Sequence, residues 1–533
     1  MKKAPNIAAL LASVFISACT ISTPDNCSQS QLKPDIFPDY TDIEIPSNIA
    51  PMNFLIDNEA DACMTSLTNG RTTVNVKGQK VRIPEKSWRK LLSDGESTIK
   101  VQVYIKKDGQ WTAMAPFSME ITDEIDPYIS YRRIPVAVEA YEILDLCQRN
   151  ITNFDEEIFF SNTMVQTQDQ GTCVNCHHYG NYHTDNMQFH VRQYKGGTVL
   201  LIDGEPRKVN MKTDSTMSAG VYPSWHPTHD YIAYSNNKTH QSVHSMSHDK
   251  LEVIDEENDI VLYNIRENAV SPIENDSSEL ECFPGWSADG RTLYYVSAHY
   301  EAPFGPQRKS QIFLDRKQLH FNLYSKPFDP ETRTWGPHRL VYNAEAVDSS
   351  MTWPRLSPDG RYMLTVISTH GIFPLDQIAS DLFLFDFKTG TARNAKEVNS
   401  PFAESYHVWS SNSKWIMYST RREDGVHTRL YFSHIDEKGH FSKPFTLPQK
   451  DPAYNREHLY AFNIPEFMIE PVKISAHELA DFVSGTDATP AAFESKRETD
   501  AEGNLLTTDY RIDGTTGASA IGSGQASEEM YLH

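Results

Sequence analysis

The chain has 533 residues, of which 71 are acidic and 49 basic, for a formal net charge of -22. A surface of that sign repels phosphate backbones and excludes nucleic acid as a partner. Mean hydropathy is -0.51, and beyond the N-terminal stretch no apolar run has spanning length, so the body of the chain reads as water-soluble.

The opening Met1-Lys-Lys-Ala-Pro, the apolar run from Ile7 to Ile16 and the small residues Ser17-Ala18 form an export signal over residues 1–18. It is too short for a permanent membrane span. Ile16-Ser17-Ala18-Cys19 resembles the lipobox of bacterial lipoproteins, which implies cleavage before Cys19 and a lipid anchor on it, and Thr20 resembles the residue found in lipoproteins sent to the outer membrane. The alternative is an ordinary secretory signal with an incidental cysteine. Loss of Lys2 and Lys3 with the signal takes the charge from -22 to -24. Residues 19–35, rich in Ser, Pro, Asp and Gln, read as a tether.

Residues 36–125 read as a β-sandwich. Ile99, Val101, Val103 and Ile105 alternate with Lys100, Gln102, Tyr104 and Lys106, Asp108-Gly109 supplies a turn, and Phe117, Met119 and Ile121 alternate again. Residues 126–186 read as a short helical linker: Pro135 begins a helix with Ala137, Ala140, Tyr141, Leu144 and Cys147 on one face, and Asn153 caps a second through Ile158.

That linker carries Cys173-Val-Asn-Cys176-His177. Two thiols at this spacing can add to the vinyl groups of one haem while the adjacent imidazole ligates its iron, and an exported protein meets haem attachment outside the cytoplasm. The expected cofactor is covalent haem c on Cys173 and Cys176, with His177 as proximal ligand and His190 or Met187 as the candidate distal one; His183 and Met164 are further candidates. Zinc held by Cys173, Cys176 and two of His177, His178, His183 and His190 lacks the usual second ligand pair. A disulfide or dithiol leaves His177 unexplained. The remaining cysteines, Cys27, Cys63, Cys147 and Cys282, allow three pairings or none. His240, His244 and His248 fall in a polar loop without carboxylates at a convincing spacing.

From residue 187 to 475 one phrase recurs: Val221-Tyr-Pro-Ser-Trp-His-Pro227, Cys282-Phe-Pro-Gly-Trp-Ser-Ala-Asp-Gly-Arg291, Thr352-Trp-Pro-Arg-Leu-Ser-Pro-Asp-Gly-Arg361 and, without proline or glycine at the turn, Tyr406-His-Val-Trp-Ser-Ser411. An apolar strand follows each copy, and spacings of 61, 70 and 53 residues between Trp225, Trp286, Leu356 and Trp409 suit propeller blades. An earlier copy is expected over 187–202 and a closing one near Leu459 to Ile464. The phrase resembles the repeats of TolB-like propellers, which implies a mainly β chain with about six blades. With the lipobox and Cys-x-x-Cys-His, it also resembles a group of Bacteroidetes lipoproteins, some labelled TolB-like or cytochrome c biogenesis proteins. Trp225, Trp286 and Trp409 read as packing between blades. Residues 476–533, dominated toward their end by Gly, Ala, Ser, Thr and Asp, read as a disordered tail.

No Gly-x-Ser-x-Gly elbow, phosphate loop or His-Glu-x-x-His helix occurs in the sequence. The expected function is therefore a lipid-anchored cell-envelope protein, at the outer membrane, in which a propeller docks a protein partner of a haem used in electron transfer. The alternative is a non-redox scaffold binding a protein, peptide or glycan, with Cys-x-x-Cys-His structural. An enzyme at an open haem iron needs groups that the sequence does not display.

Overall fold

The computed structural model describes residues 22–135, 142–243, 251–301, 307–500 and 505–506. The export signal and Cys19 lie outside the described residues, as do His244 and His248.

The N-terminal alternation forms the expected sandwich. In Thr98–Lys107, Ile99, Val101, Val103 and Ile105 are buried, and Asp108 and Gly109, at φ 51 and 80°, turn the chain back into Gln110–Ala113. A seven-stranded and a three-stranded sheet enclose the core, which also takes Trp88 and Leu91 from helix Glu85–Ser93. The expected tether lies on this domain, with Ser28–Gln29 pairing in parallel beside Thr112–Ala113.

Everything from Tyr128 to Met468 builds a β-propeller, and the boundary expected at residue 187 moves to the start of this region. The first complete sheet in sequence is Thr172–Gly180, His183–Gln193, Gly197–Ile202 and Glu205–Asn210. The next is Val221–Trp225, Tyr231–Val243, Leu251–Asn264 and Ala269–Glu274. Then come Glu279–Trp286, Thr292–His299, Asn322–Asp329 and Arg339–Tyr342. Two more follow, opening on Ser350–Leu356 and Glu404–Trp409. The last sheet joins the ends of the propeller: Tyr460–Met468 pairs with Tyr128–Pro135, which continues to Asp145–Asn150 and Glu156–Ser161. Each opening strand packs on the next around an axis, and Tyr460–Met468 packs on Thr172–Gly180 to close the ring.

Turn chemistry explains the repeat. Ser287 Oγ donates to Asp289 at 2.6 Å and accepts from Thr292 N at 3.0 Å, with Gly290 at φ 68°. Ser357, Asp359 and Gly360 repeat this. In the divergent copy Asn412 replaces the aspartate and Ser413 takes the positive φ of 61°. Trp286 Nε1 donates to Ser224 O at 3.1 Å and Trp409 Nε1 to Arg355 O at 3.0 Å, so both indoles lock neighbouring sheets as expected.

Two expectations are corrected. The linker is not helical: Asp145–Asn150 and Glu156–Ser161 are strands, and Leu144, Leu146 and Cys147 are all buried because this sheet is covered on both faces. Ala137, Ala140 and Tyr141 lie outside the described residues. The tail is ordered through residue 500. Helix Ala476–Gly485, capped by Ser475 and Glu478, leads into short strands that add in parallel to the rims of three successive sheets, at Val209, Ala269 and Trp335. These backbone bonds satisfy edges that would otherwise be open, whatever the side-chain composition.

Candidate functional site

Each opening strand carries a β-bulge at a residue with left-handed backbone: Cys176 (φ 57°), Tyr222 (51°), Phe283 (53°), Trp353 (58°), Tyr406 (49°) and Ile464 (51°). The strand register shifts at each of these points. A non-glycine residue in this region costs about 1–2 kcal/mol, so six of them persist only because the ring fixes them. The bulges re-aim side chains toward the axis. Tyr222, Phe283, Trp353 and Tyr406 close it as an aromatic plug, with successive centroids 4.4, 4.4 and 4.7 Å apart.

Cys176-His177 is thus the counterpart of Tyr222-Pro223, Phe283-Pro284, Trp353-Pro354, Tyr406-His407 and Ile464-Pro465. Proline suits the second position because that backbone N–H is outside the ladder. His407 fills it with Nε2 on Leu364 O at 2.7 Å. His177 is buried with neither ring nitrogen hydrogen-bonded, between the rings of Phe159 and Tyr179. Burial pushes both imidazoles down to about 3, so they are neutral.

One residue further on, three sheets meet. Arg355 donates from one guanidinium nitrogen to His178 Nε2 at 2.8 Å and from another to Glu466 Oε1 at 3.0 Å. Acceptance at Nε2 places the His178 proton on Nδ1, which has no partner. Burial, then the Arg355 charge, holds His178 well below the ordinary imidazole range. Burial raises the Glu466 carboxyl against the pull of Arg355. The cluster floors a cavity of about 180 Å³ at the turn end of the axis, walled by Tyr182, Trp225 and Trp286. Sequence reasoning missed Arg355 and Glu466. The available signal was their shared place in the phrase, two residues after each bulge.

The residues expected to hold haem are arranged otherwise. Cys173 packs at the edge of the core around Phe159, Val174 and Phe189, whereas Cys176 lines an axial cavity of about 20 Å³ beside Tyr222 and Trp353, room for a water molecule. The two thiols and His177 therefore do not open on a common space of macrocycle size, and the present strand does not fit covalent haem. Met187 is fully buried in that same core. His190 Nδ1 pairs with Thr198 Oγ1 at 3.1 Å, and burial pushes its imidazole down to about 3. His183 lies beside Glu470, Met164 is exposed and His240 faces Glu256. No group of three or more His, Cys, Asp or Glu side chains placed to hold a metal occurs among the described residues. Cys27, Cys63, Cys147 and Cys282 are free thiols.

No protein-family model and no curated protein matches the chain. Among solved structures, an oligogalacturonate lyase in complex with manganese is 12% identical, covers 73% of this chain and 99% of its own, and has a TM-score of 0.28. A Synechocystis apocarotenoid oxygenase mutant is 12% identical over 79% of this chain and 95% of its own, with a TM-score of 0.35. Porphyromonas gingivalis dipeptidyl peptidase 4 is 9% identical over 56% of this chain and 43% of its own, with a TM-score of 0.30. The propeller assignment stands on the strand topology and the closed ring of opening strands.

Proposed function

We propose that the chain is a non-redox propeller scaffold of six blades, TolB-like in its repeats, whose turn-side mouth binds an uncharged polyhydroxyl ligand of the glycan class. The observation that carries this reading is the equivalence of Cys176-His177 with five other bulged pairs, four of which read residue-proline. A motif that occupies a frame position is explained by the frame. The ligand class follows from the mouth: Arg355 and Glu466 cancel in charge, His178 is neutral, and the half-buried Tyr182 and Trp225 offer ring surface beside hydrogen-bonding groups. Cys19 supplies the lipid that holds the scaffold at the outer membrane, and replacement by alanine is expected to release the protein into the soluble fraction.

The test is expression of the full chain in a host that matures cytochromes c, followed by visible spectra, intact mass and glycan-array binding. The expected protein carries no Soret band and no haem mass, and binds a glycan that Arg355→Ala no longer retains. Haem mass, or glycan binding indifferent to Arg355→Ala, overturns the reading. A second reading, haem c on Cys173, Cys176 and His177 serving electron transfer to a docked protein, is supported by the two unpartnered ring nitrogens of His177. It requires the opening strand to leave its ladder, and the same mass measurement decides it.

A further inference from the structure

A second cavity, about 230 Å³, lies at the opposite end of the propeller from the turns, beside the start of strand Glu279–Trp286. Its walls come from Leu251–Asn264 and from the connections after Thr292–His299 and Tyr362–Ser368. Leu280, Phe321, Ile372 and Phe373 give it an apolar side.

The polar side is short of positive charge. Asp255, 4% exposed, accepts from Asn237 Nδ2 at 3.2 Å, Asn258 Nδ2 at 2.7 Å and the Thr239 hydroxyl. All three donors are neutral, and no cation pairs with this carboxylate among the described residues. Burial pushes the carboxyl up to about 6, the response of an acid without a counter-charge. Gln377 donates to His370 O at 2.8 Å, and its Oε1 is buried with no hydrogen-bond partner. The cationic groups of the wall are placed elsewhere: Arg316 donates to Glu252 at 2.7 Å and to Phe313 O at 2.7 Å, and Lys317 stands exposed at the rim. A buried carboxylate and a buried carbonyl oxygen, both facing a cavity walled by two phenyl rings, call for a ligand that brings positive charge and several N–H donors.

We infer that this cavity binds a primary alkylammonium group, with the N–H donors on Asp255 and Gln377 Oε1 and the alkyl stem against Leu280, Ile372, Phe321 and Phe373. The site is separate from the turn-side mouth and independent of its ligand. The same chemistry is offered by a free aliphatic amine and by the lysine side chain of a peptide.

The test is calorimetric titration of the full chain, at fixed ionic strength and pH 7.5, with pentylammonium, Nα-acetyl-lysine methylamide and pentanol as probes. Saturable binding of at least one ammonium probe is expected, with pentanol weaker by at least about tenfold. Tighter binding of the lysine derivative identifies a peptide source, and tighter binding of pentylammonium a free amine. Asp255→Asn is expected to weaken the ammonium probe by at least about tenfold, because the charge goes while the acceptor oxygen remains. Gln377→Leu removes the unsatisfied oxygen together with the bond from its amide to His370 O, so a modest fall in thermal midpoint is expected alongside weaker ammonium binding and unchanged pentanol binding; a residue of merely structural importance would weaken both probes alike. Equal affinity for pentanol, absence of saturable ammonium binding, or binding unchanged in a folded Asp255→Asn protein overturns the inference.

Discussion

Arg355→Met tests whether the axial cluster is held by charge. The substitution leaves Glu466, whose side chain is 9% exposed, without its cation and removes the donor on His178 Nε2. Stranding one partner of a buried pair costs 3–5 kcal/mol, and because the Arg355 side chain is 21% exposed the lower end applies, about 3 kcal/mol. Glu466→Gln keeps an acceptor oxygen and should cost about 1–2 kcal/mol. In the double variant no charge is buried, so the loss should stay near 2 kcal/mol, leaving a coupling of about 2–3 kcal/mol in the cycle. Urea midpoints at a common slope, followed by tryptophan fluorescence, give the three values. The Arg355→Met penalty also has a pH signature. Burial raises the Glu466 carboxyl even with Arg355 present, and more so without it. A carboxyl raised in the folded state favours folding when protonated, so the variant should lose stability as pH climbs from the unfolded carboxylate value toward the folded one, and regain it on acidification. Additive losses, or a penalty flat from pH 4 to 8, would refute the reasoning.

The C-terminal strap is tested by Lys326→Met. Lys326 Nζ, 1% exposed, joins Glu274 at 2.7 Å to Glu498 at 2.6 Å; because Lys496 still pairs both carboxylates, loss of Lys326 should cost about 2 kcal/mol and make the segment after Gly485 more cleavable by trypsin at Lys496 and Arg497. His338, Lys326 and Lys496 hold Glu274 well below the ordinary carboxylate range against burial. Its contribution is therefore full above the unfolded carboxylate value and lost as pH falls toward the depressed folded one, which an acid titration of thermal midpoints reads. The two turn glycines separate backbone from packing. Gly360→Ala meets only Ala288 at 3.5 Å, and the φ of 71° should cost about 1–2 kcal/mol, whereas in Gly290→Ala the new methyl falls on the buried His226 ring and the loss should be visibly larger in the same melts.

The repeat was legible because its turns require particular letters: Asp and Gly after Ser, with Trp tying each sheet to its neighbour. The sandwich was legible because only one face of Thr98–Lys107 is wet. Where a strand is buried on both faces the period of two vanishes. Leu144 and Cys147 then fell on helical spacing by accident, and the N-terminal strands of the sheet that closes the ring read as a linker. The strap escaped composition because its two-residue edge strands are held by backbone bonds, as at Ala491 N to Asn210 O, 2.9 Å, and because its ion pairs, such as Lys496 with Glu274 and Glu498 with Lys326, join residues far apart in sequence. Arg355 and Glu466, 111 residues apart in sequence, meet only once the ring is closed.

Cys-x-x-Cys-His shows how a short pattern and a repeat can claim the same residues. As a pattern it is specific, because two thiols and an imidazole at this spacing match the chemistry of haem attachment. As a repeat copy, Cys176-His177-His178-Tyr179 runs parallel to Tyr222-Pro-Ser-Trp225 and Phe283-Pro-Gly-Trp286, yet it shares none of their letters. The bulge asks for a residue that tolerates positive φ under tertiary constraint, then one whose N–H can go unused, then a large ring that packs toward the next sheet. Cysteine, histidine and tyrosine meet those three demands as tyrosine, proline and tryptophan do. Sequence similarity measured letter by letter therefore fails at the copy where the backbone equivalence is complete. The left-handed φ at six places around the ring, 49 to 58°, is what identifies the copy.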